Sequence, residues 1–254
     1  MSLIRIDHAS TAVGMNLPLN IITAEPQELE KCSLKERTVL YLLHGHSDDA
    51  SAWQRYTCVE SLARRYGITV VMPSGGTSFY TDLRTGHGYF SYITEELPAY
   101  LQRLLGIPSD RDKVMIAGNS MGGYGAFKAA FLRPELYSAA GSFSGMLTLP
   151  PEELLKTHPN WEGFQFLFGG LDELSGTEFD PLYWLRTASP ASAAYPKLYM
   201  SCGDSDDIVQ MSRAFFAASK PAGLDVVYRE SGGAHNWAFW NTALDGFLSQ
   251  ACGG

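Results

Sequence analysis

The chain is short of cationic charge. Lysine and arginine number 19 against 27 aspartates and glutamates, a formal net charge of −8 over 254 residues. Phosphate backbones are bound by clustered Lys and Arg, so no nucleic-acid partner is expected. The acidic balance otherwise speaks only to solubility. Long apolar runs are also missing: none approaches the about 20 residues that span a bilayer, so no membrane partner is expected. The start, Met1-Ser2-Leu3-Ile4-Arg5, lacks the basic patch, apolar segment and small-residue cleavage site of a secretory signal. Cysteine is sparse, and Cys32, Cys58, Cys202 and Cys252 are scattered without metal-ligand spacing. Free thiols in a reducing compartment are the expectation, and with it a cytoplasmic protein. No internal repeat or low-complexity tract is present.

What is present suits a large core. Apolar residues make up 45% of the chain, and its length fits one α/β domain spanning 1–254. Short apolar runs at 39–43, 68–72 and 114–117 read as strands buried on both faces. Runs at 137–143, 197–202 and 226–229 read as further strands, and 4–8 and 20–23 as an N-terminal pair, expected antiparallel. Residues 25–37 read as a loop. Helical patterning covers 51–66, 91–105, 124–131, 207–219 and 236–250. Pro98 inside the second predicts a kink or restart. Strands alternating with helices imply right-handed crossovers and a mostly parallel sheet with helices on both faces. Functional groups in such sheets gather beyond the carboxyl ends of the strands.

The most informative stretch is 113–131. An apolar strand leads into Gly118-Asn119-Ser120-Met121-Gly122-Gly123 and then a helix. A serine hydroxyl is a weak nucleophile and must be presented at the tip of a sharp turn to a base on another segment. Strand, glycine-flanked serine and helix form that presentation, the nucleophile elbow of an α/β-hydrolase fold. An ordinary small-residue turn is the bland alternative. Gly118 and Gly122 keep side chains off the crowded turn. The amide of Met121, at a helix N-terminus, is placed to stabilise an oxyanion.

A serine nucleophile needs a base and an acid, in the chain order serine, acid, histidine. After Ser120 only His158 and His235 remain. His158 sits in an irregular segment. His235 sits in a glycine-rich loop between the last strand and the last helix, which makes it the candidate base rather than a helix-capping residue. The acid is expected after the strand at 197–202, in Gly203-Asp204-Ser205-Asp206-Asp207. Asp206 is the preferred choice and Asp204 the second; Asp207 suits a helix start. A second oxyanion amide is expected from His44-Gly45-His46, after the strand at 39–43, with His46 as the donor.

Residues 144–194 break the alternation of strands and helices and are rich in aromatics, among them Trp161, Phe164, Phe166, Phe168, Phe179, Tyr183 and Trp184. A connection of that length usually has a function. The expectation is a cap-like insertion beside Ser120, with most single aromatics serving as the cap's own core.

Taken together, several short motifs resemble the esterase D and S-formylglutathione hydrolase group of α/β-hydrolases, and within it the tributyrin (acetyl) esterase branch. They are Leu40-Tyr41-Leu42-Leu43-His44-Gly45 with Trp53, Tyr80-Thr81-Asp82, Glu95-Glu96-Leu97-Pro98, residues 118–125, Cys202-Gly203 with Asp206, and Gly233-Ala234-His235-Asn236-Trp237 with Trp240. The resemblance implies a serine carboxylesterase hydrolysing short, acetyl-like acyl esters through an acyl-enzyme, with no cofactor and a small-molecule ester as partner. Its nucleophile, acid and base fall on Ser120, Asp206 and His235, and its oxyanion amides on His46 and Met121. Formylglutathione hydrolases carry a Thr-Cys pair after the first oxyanion motif; here the loop reads Ser47-Asp48-Asp49-Ala50-Ser51, which counts against glutathione thioesters. An S-formylglutathione-type thioesterase and an acyltransferase on the same scaffold are the alternatives. A homo-oligomer is left open.

Two further readings are weaker. His44-Gly45-His46-Ser47-Asp48-Asp49 resembles the His-x-His-x-Asp-His run of metallo-β-lactamase-type folds, whose chemistry would be a metal-activated water. Asp49 stands where that run needs histidine, and no later histidine-rich set follows, so no metal is expected. A binding-only scaffold of this fold typically lacks a member of the serine, acid, histidine set, whereas all three candidates occur here in order.

Overall fold

The computed structural model describes residues 1–25, 27, 36–150, 161–189 and 194–253. Its strands are β1 (Ser2–Ser10), β2 (Met15–Thr23), β3 (Val39–Leu43), β4 (Thr69–Pro73), β5 (Val114–Asn119), β6 (Ala139–Phe143), β7 (Lys197–Gly203) and β8 (Val226–Ser231). They form one eight-stranded sheet in the order β1-β2-β4-β3-β5-β6-β7-β8. The β1–β2 and β2–β4 pairings are antiparallel. Every pairing from β4 across to β8 is parallel.

The central strands are buried at every position, as their unbroken apolar runs require. Successive residues serve two separate cores. Val39, Tyr41, Leu43, Val114 and Ile116 pack with Leu97, Leu101, Phe127 and Phe215 on one face. Leu40, Leu42, Met115 and Ala117 pack with Val59, Leu62, Leu244 and Phe247 on the other. Helices therefore cover both faces of a mostly parallel sheet.

The helix read at 51–66 is two helices, α1 (Ala52–Tyr56) and α2 (Val59–Tyr66). Thr57 divides them: its hydroxyl bonds back to the Trp53 carbonyl and accepts the Val59 N–H. Ser and Thr side chains compete with helical hydrogen bonds in this way. The neighbouring Cys58 amide is taken by Asn241 Oδ1 at 2.9 Å. Around Pro98 the chain passes from a turn at Tyr89–Ser91 through a π-helical stretch, Tyr92–Glu96, into α3 (Leu97–Leu105). The wide turn accommodates a residue that has no N–H to give. Helix α4 (Met121–Leu132) is buried along nearly its whole length.

Among the described residues between β6 and β7 lie the short helices α5 (Trp161–Phe168), α6 (Leu171–Leu174) and α7 (Pro181–Thr187). His158, Cys32 and the Trp161 side chain lie outside the described residues, as do parts of the expected cap at 151–160 and 190–193. Helices α8 (Val209–Ser219) and α9 (Trp237–Cys252) complete the fold. Among the described residues no helix is long and apolar enough to cross a membrane.

Candidate active site

Ser120 occupies the one-residue step between β5 and α4. Its backbone sits at φ 51, ψ −117, a conformation that non-glycine residues rarely adopt. Such strain persists only where the surroundings impose it. Here the Ser120 N–H is tied to the Phe143 carbonyl of β6 at 2.8 Å. A Cβ on Gly118 would fall 2.6 Å from the Gly122 backbone, and one on Gly122 would fall 2.4 Å from the Leu43 carbonyl oxygen. The turn closes only because both residues are glycine. Met121 opens α4, so its N–H is one of the first-turn amides that have no intrahelical partner.

The loops after β7 and β8 bring two side chains to this hydroxyl. His235 Nε2 lies 3.0 Å from Ser120 Oγ. His235 Nδ1 lies 3.1 Å from both carboxylate oxygens of Asp206. Asp206 is 3% exposed, and its Oδ1 also accepts the Ile208 N–H at 3.0 Å. Burial alone would raise its pKa. Hydrogen bonds from His235, the Ile208 amide and Ser144, with the His235 charge, outweigh burial and hold the carboxyl below its ordinary value. An ionised Asp206 accepts the Nδ1 hydrogen, which leaves the Nε2 lone pair facing the serine hydroxyl.

The competing residues have other duties. Asp204 is exposed and accepts from Ser205 Oγ at 2.9 Å and from the Gly233 N–H at 3.4 Å. Asp207 is exposed as well. Asn236, not His235, caps α9 by accepting the Phe239 N–H at 3.1 Å. The structure thus gathers Ser120, Asp206 and His235, and leaves Asp204 and Asp207 at the margin.

The loop carrying His46 lies against the serine: a Cβ on Gly45 would sit 3.5 Å from the Ser120 Cβ. The His46 side chain is exposed, and its ring lies 6.0 Å from that of Phe79. His44 is buried, and both its ring nitrogens meet backbone groups, Gly45 O at 2.7 Å and Gly75 N at 2.8 Å. The His44–His46 run therefore does not present a pair of metal ligands.

Among the described residues the aromatics at 144–194 pack against the main sheet's helices as well as against one another. Trp184 is buried against Tyr124 and Phe131 of α4. Phe164 and Phe168 of α5 reach Phe79, which also meets Tyr124 and His46. Phe79 thus links α5 to the His46 loop beside Ser120. A groove of about 560 Å³ lies elsewhere, between β1–β2 and the start of α1, lined by Arg5, Asp7, Asn20, Asp49, Gln54 and Arg55 among others. Neither Ser120, Asp206 nor His235 lines it.

One supporting residue has no signal in the sequence. Ser144 follows β6 at φ 50, accepts the Trp240 indole N–H at 3.1 Å, and helps hold the Asp206 carboxyl below its ordinary value. Only the strained turn brings it there, and a lone serine after a strand does not announce a turn.

A family model described as "Putative esterase" matches residues 14–250 of the chain. The chain belongs to this esterase family. An acetyl esterase of Caldicellulosiruptor saccharolyticus is 32% identical over 208 residues, covering 80% of this chain and 78% of that protein. Among solved structures, the fluorophosphonate-binding serine hydrolase F of Staphylococcus aureus, substrate bound, superposes with a TM-score of 0.89 at 28% identity, covering 99% of this chain and 98% of that one. The S-formylglutathione hydrolase of the same organism, as apoenzyme, gives 0.87 at 28% identity with the same coverage. This esterase is accordingly a serine hydrolase with the α/β fold of that group.

Proposed function

We propose that this esterase is a carboxylesterase for short, acetyl-like acyl esters, with Ser120 as nucleophile, His235 as general base and Asp206 as the acid that orients it. The observation that carries the reading is the continuous Asp206–His235–Ser120 chain of contacts at 3.1 and 3.0 Å on a strained strand-to-helix turn. In the forward half-reaction the Ser120 hydroxyl attacks the ester carbonyl as Nε2 takes its proton. The imidazolium is stabilised by ionised Asp206, and the amides of His46 and Met121 receive the oxyanion. The same proton passes to the departing alcohol. Water then attacks the acyl-enzyme by the same route and regenerates Ser120. No metal or cofactor enters the scheme.

The short-acyl assignment is supported by the acetyl esterase relative and by Phe79, which with Phe164 and Phe168 places bulk beside the oxyanion loop. The likeness to an S-formylglutathione hydrolase supports a thioester reading on the same machinery. Hydrolysis of p-nitrophenyl esters from acetate to octanoate, by wild type and Ser120→Ala, tests the proposal. Activity that falls with chain length and disappears in the variant is the expected result. Fluorophosphonate labelling of Ser120 without ester turnover would shift the assignment to thioesters. Undiminished turnover by Ser120→Ala would overturn the nucleophile.

A further inference from the structure

Three consecutive carbonyls at the end of β3 are each taken by a buried side-chain donor. Leu43 O accepts the Trp53 indole N–H at 2.9 Å, and His44 O accepts the Tyr80 hydroxyl at 3.1 Å. Gly45 O faces His44 Nδ1 at 2.7 Å and also receives the Asp48 N–H at 3.3 Å. A fourth contact fixes the imidazole. The Gly75 N–H, which can only donate, meets Nε2 at 2.8 Å. Nε2 must therefore hold the lone pair and Nδ1 the hydrogen, which goes to Gly45 O. Burial presses the His44 pKa down to about 4, so the ring stays neutral.

This geometry has a directional consequence. The Gly45–His46 peptide is planar and trans, as is every peptide among the described residues. Its carbonyl and the His46 N–H point in opposite directions. A donor that holds the Gly45 carbonyl thereby aims the His46 N–H.

Tyr80 shows that the clamp is built rather than incidental. Its backbone is at φ 52, directly after Phe79 at φ 51, two successive non-glycine residues in the left-handed region. Its ring fills space that opens only because Gly75 and Gly125 lack side chains: a Cβ there would come within 2.3 and 2.6 Å of the ring. The glycine-rich loop after β4 thus grips His44 twice, through the Gly75 amide on the imidazole and the Tyr80 hydroxyl on the backbone.

We propose that His44 and Tyr80 are positioning residues that preform the oxyanion hole by fixing the direction of the His46 amide. The inference rests on the assignment of that amide as an oxyanion donor. Both side chains are buried and act through the backbone of the loop.

The test is a pair of near-isosteric substitutions. In His44→Asn the side-chain amide nitrogen replaces Nδ1, which keeps the donor to Gly45 O and gives up Gly75. In His44→Gln the amide oxygen replaces Nε2, which keeps Gly75 and leaves the Gly45 carbonyl without its side-chain donor. Loss of a direct oxyanion donor costs roughly 10²–10³-fold in kcat. On p-nitrophenyl acetate, His44→Gln should lose about 10²-fold in kcat and His44→Asn about tenfold or less, with KM nearly unchanged in both. The Ki of phenylboronic acid, which forms a tetrahedral serine adduct, should rise in step with the loss of kcat. Tyr80→Phe keeps the ring and loses only the hydroxyl; its kcat should fall about tenfold at unchanged KM. A His44→Gln variant as active as His44→Asn, or losses confined to KM with boronate affinity intact, would overturn the proposal. If neither His44 variant folds, Tyr80→Phe decides alone, and wild-type kcat and boronate affinity in it would do the same. Labelling of wild-type Ser120 by a fluorophosphonate separates the two levels. Without labelling, the assignment of Ser120 as nucleophile, and with it the oxyanion hole, fails; with labelling and the wrong ranking, the nucleophile stands and only this inference fails.

Discussion

Trp240 gives its indole N–H to the hydroxyl of Ser144 at 3.1 Å, and the same indole meets the ring of His235 at right angles, 5.0 Å between centroids. Ser144 in turn helps lower the pKa of the Asp206 carboxyl. One tryptophan therefore packs against His235 and fixes Ser144 beside Asp206. Ser144→Ala leaves the buried indole without its acceptor, at a cost of about 1–3 kcal/mol, and removes one of the groups that hold the Asp206 carboxyl below its ordinary value. Asp206 is held below its ordinary value, so the stability it contributes is present above that ordinary value and is lost as pH falls through the lowered one. Without Ser144 that loss begins at higher pH. The expected result is a lower melting temperature and an acid limb of kcat/KM displaced upward. A pH profile superimposable on wild type would remove Ser144 from this role.

The choice among three aspartates is open to a direct comparison. Asp206 faces His235 and is buried; Asp204 is exposed and serves Ser205 and Gly233. Asp206→Asn should cost on the order of 10⁴-fold in kcat by favouring the wrong imidazole tautomer. Asp204→Asn retains an acceptor oxygen for Gly233 and should remain near wild type. Steady-state kinetics on one ester decides between them, and the reverse ranking would move the acid to Asp204.

Phe79 carries the prediction about acyl length. It holds a left-handed backbone and touches His46, Tyr124, Phe164 and Phe168. Phe79→Ala removes the ring that links α5 to the His46 loop. If that ring limits the acyl pocket, the ratio of kcat/KM for p-nitrophenyl octanoate over acetate should rise about tenfold or more, since a few methylenes at 1–3 kcal/mol each set the discrimination. An unchanged ratio would place the pocket wall elsewhere.

The sheet and the site were legible in the sequence to different degrees. Strands buried on both faces leave unbroken apolar runs, which is why β3, β4 and β5 could be read. Ser120 and His235 were legible because glycine must surround a turn that approaches other backbone so closely. Asp206 was only preferred over Asp204, because three neighbouring aspartates differ by their burial, a tertiary property. The break at Thr57 turns on whether a hydroxyl bonds back to its own helix, and periodicity does not report that. The places of Ser144, Tyr80 and His44 are not legible in the sequence for a related reason: each meets a group on a segment distant in sequence, Trp240 for Ser144, His44 for Tyr80 and Gly75 for His44, and those contacts exist only once the strands are assembled.

Lys128 presents a cost that the fold has retained. It lies on α4 with no exposed surface, its Nζ 4.4 Å from the Phe179 ring centroid and 5.1 Å from that of Phe90. Its nearest carboxylate oxygen, on half-exposed Glu178, is 3.8 Å away, within ion-pair reach but beyond hydrogen-bond length. Desolvation outweighs the attraction of Glu178 and Asp82 and lowers its pKa from 10.5 to about 8. That fall corresponds to about 3 kcal/mol of destabilisation at neutral pH, offset in Lys128→Met by loss of cation–π contacts worth about 1–2 kcal/mol. Lys128→Met should therefore raise the melting temperature at pH 7 by a few degrees, at about 2–4 °C per kcal/mol for a chain of this size. Between pH 8 and 10.5 the unfolded wild type binds more protons than the folded form, so its stability rises with pH relative to the variant. The gap should close across that window in thermal melts followed by circular dichroism. A variant less stable than wild type at pH 7 would show that the buried ammonium contributes net stability where it sits, and a gap that ignores pH would show that burial does not depress its pKa.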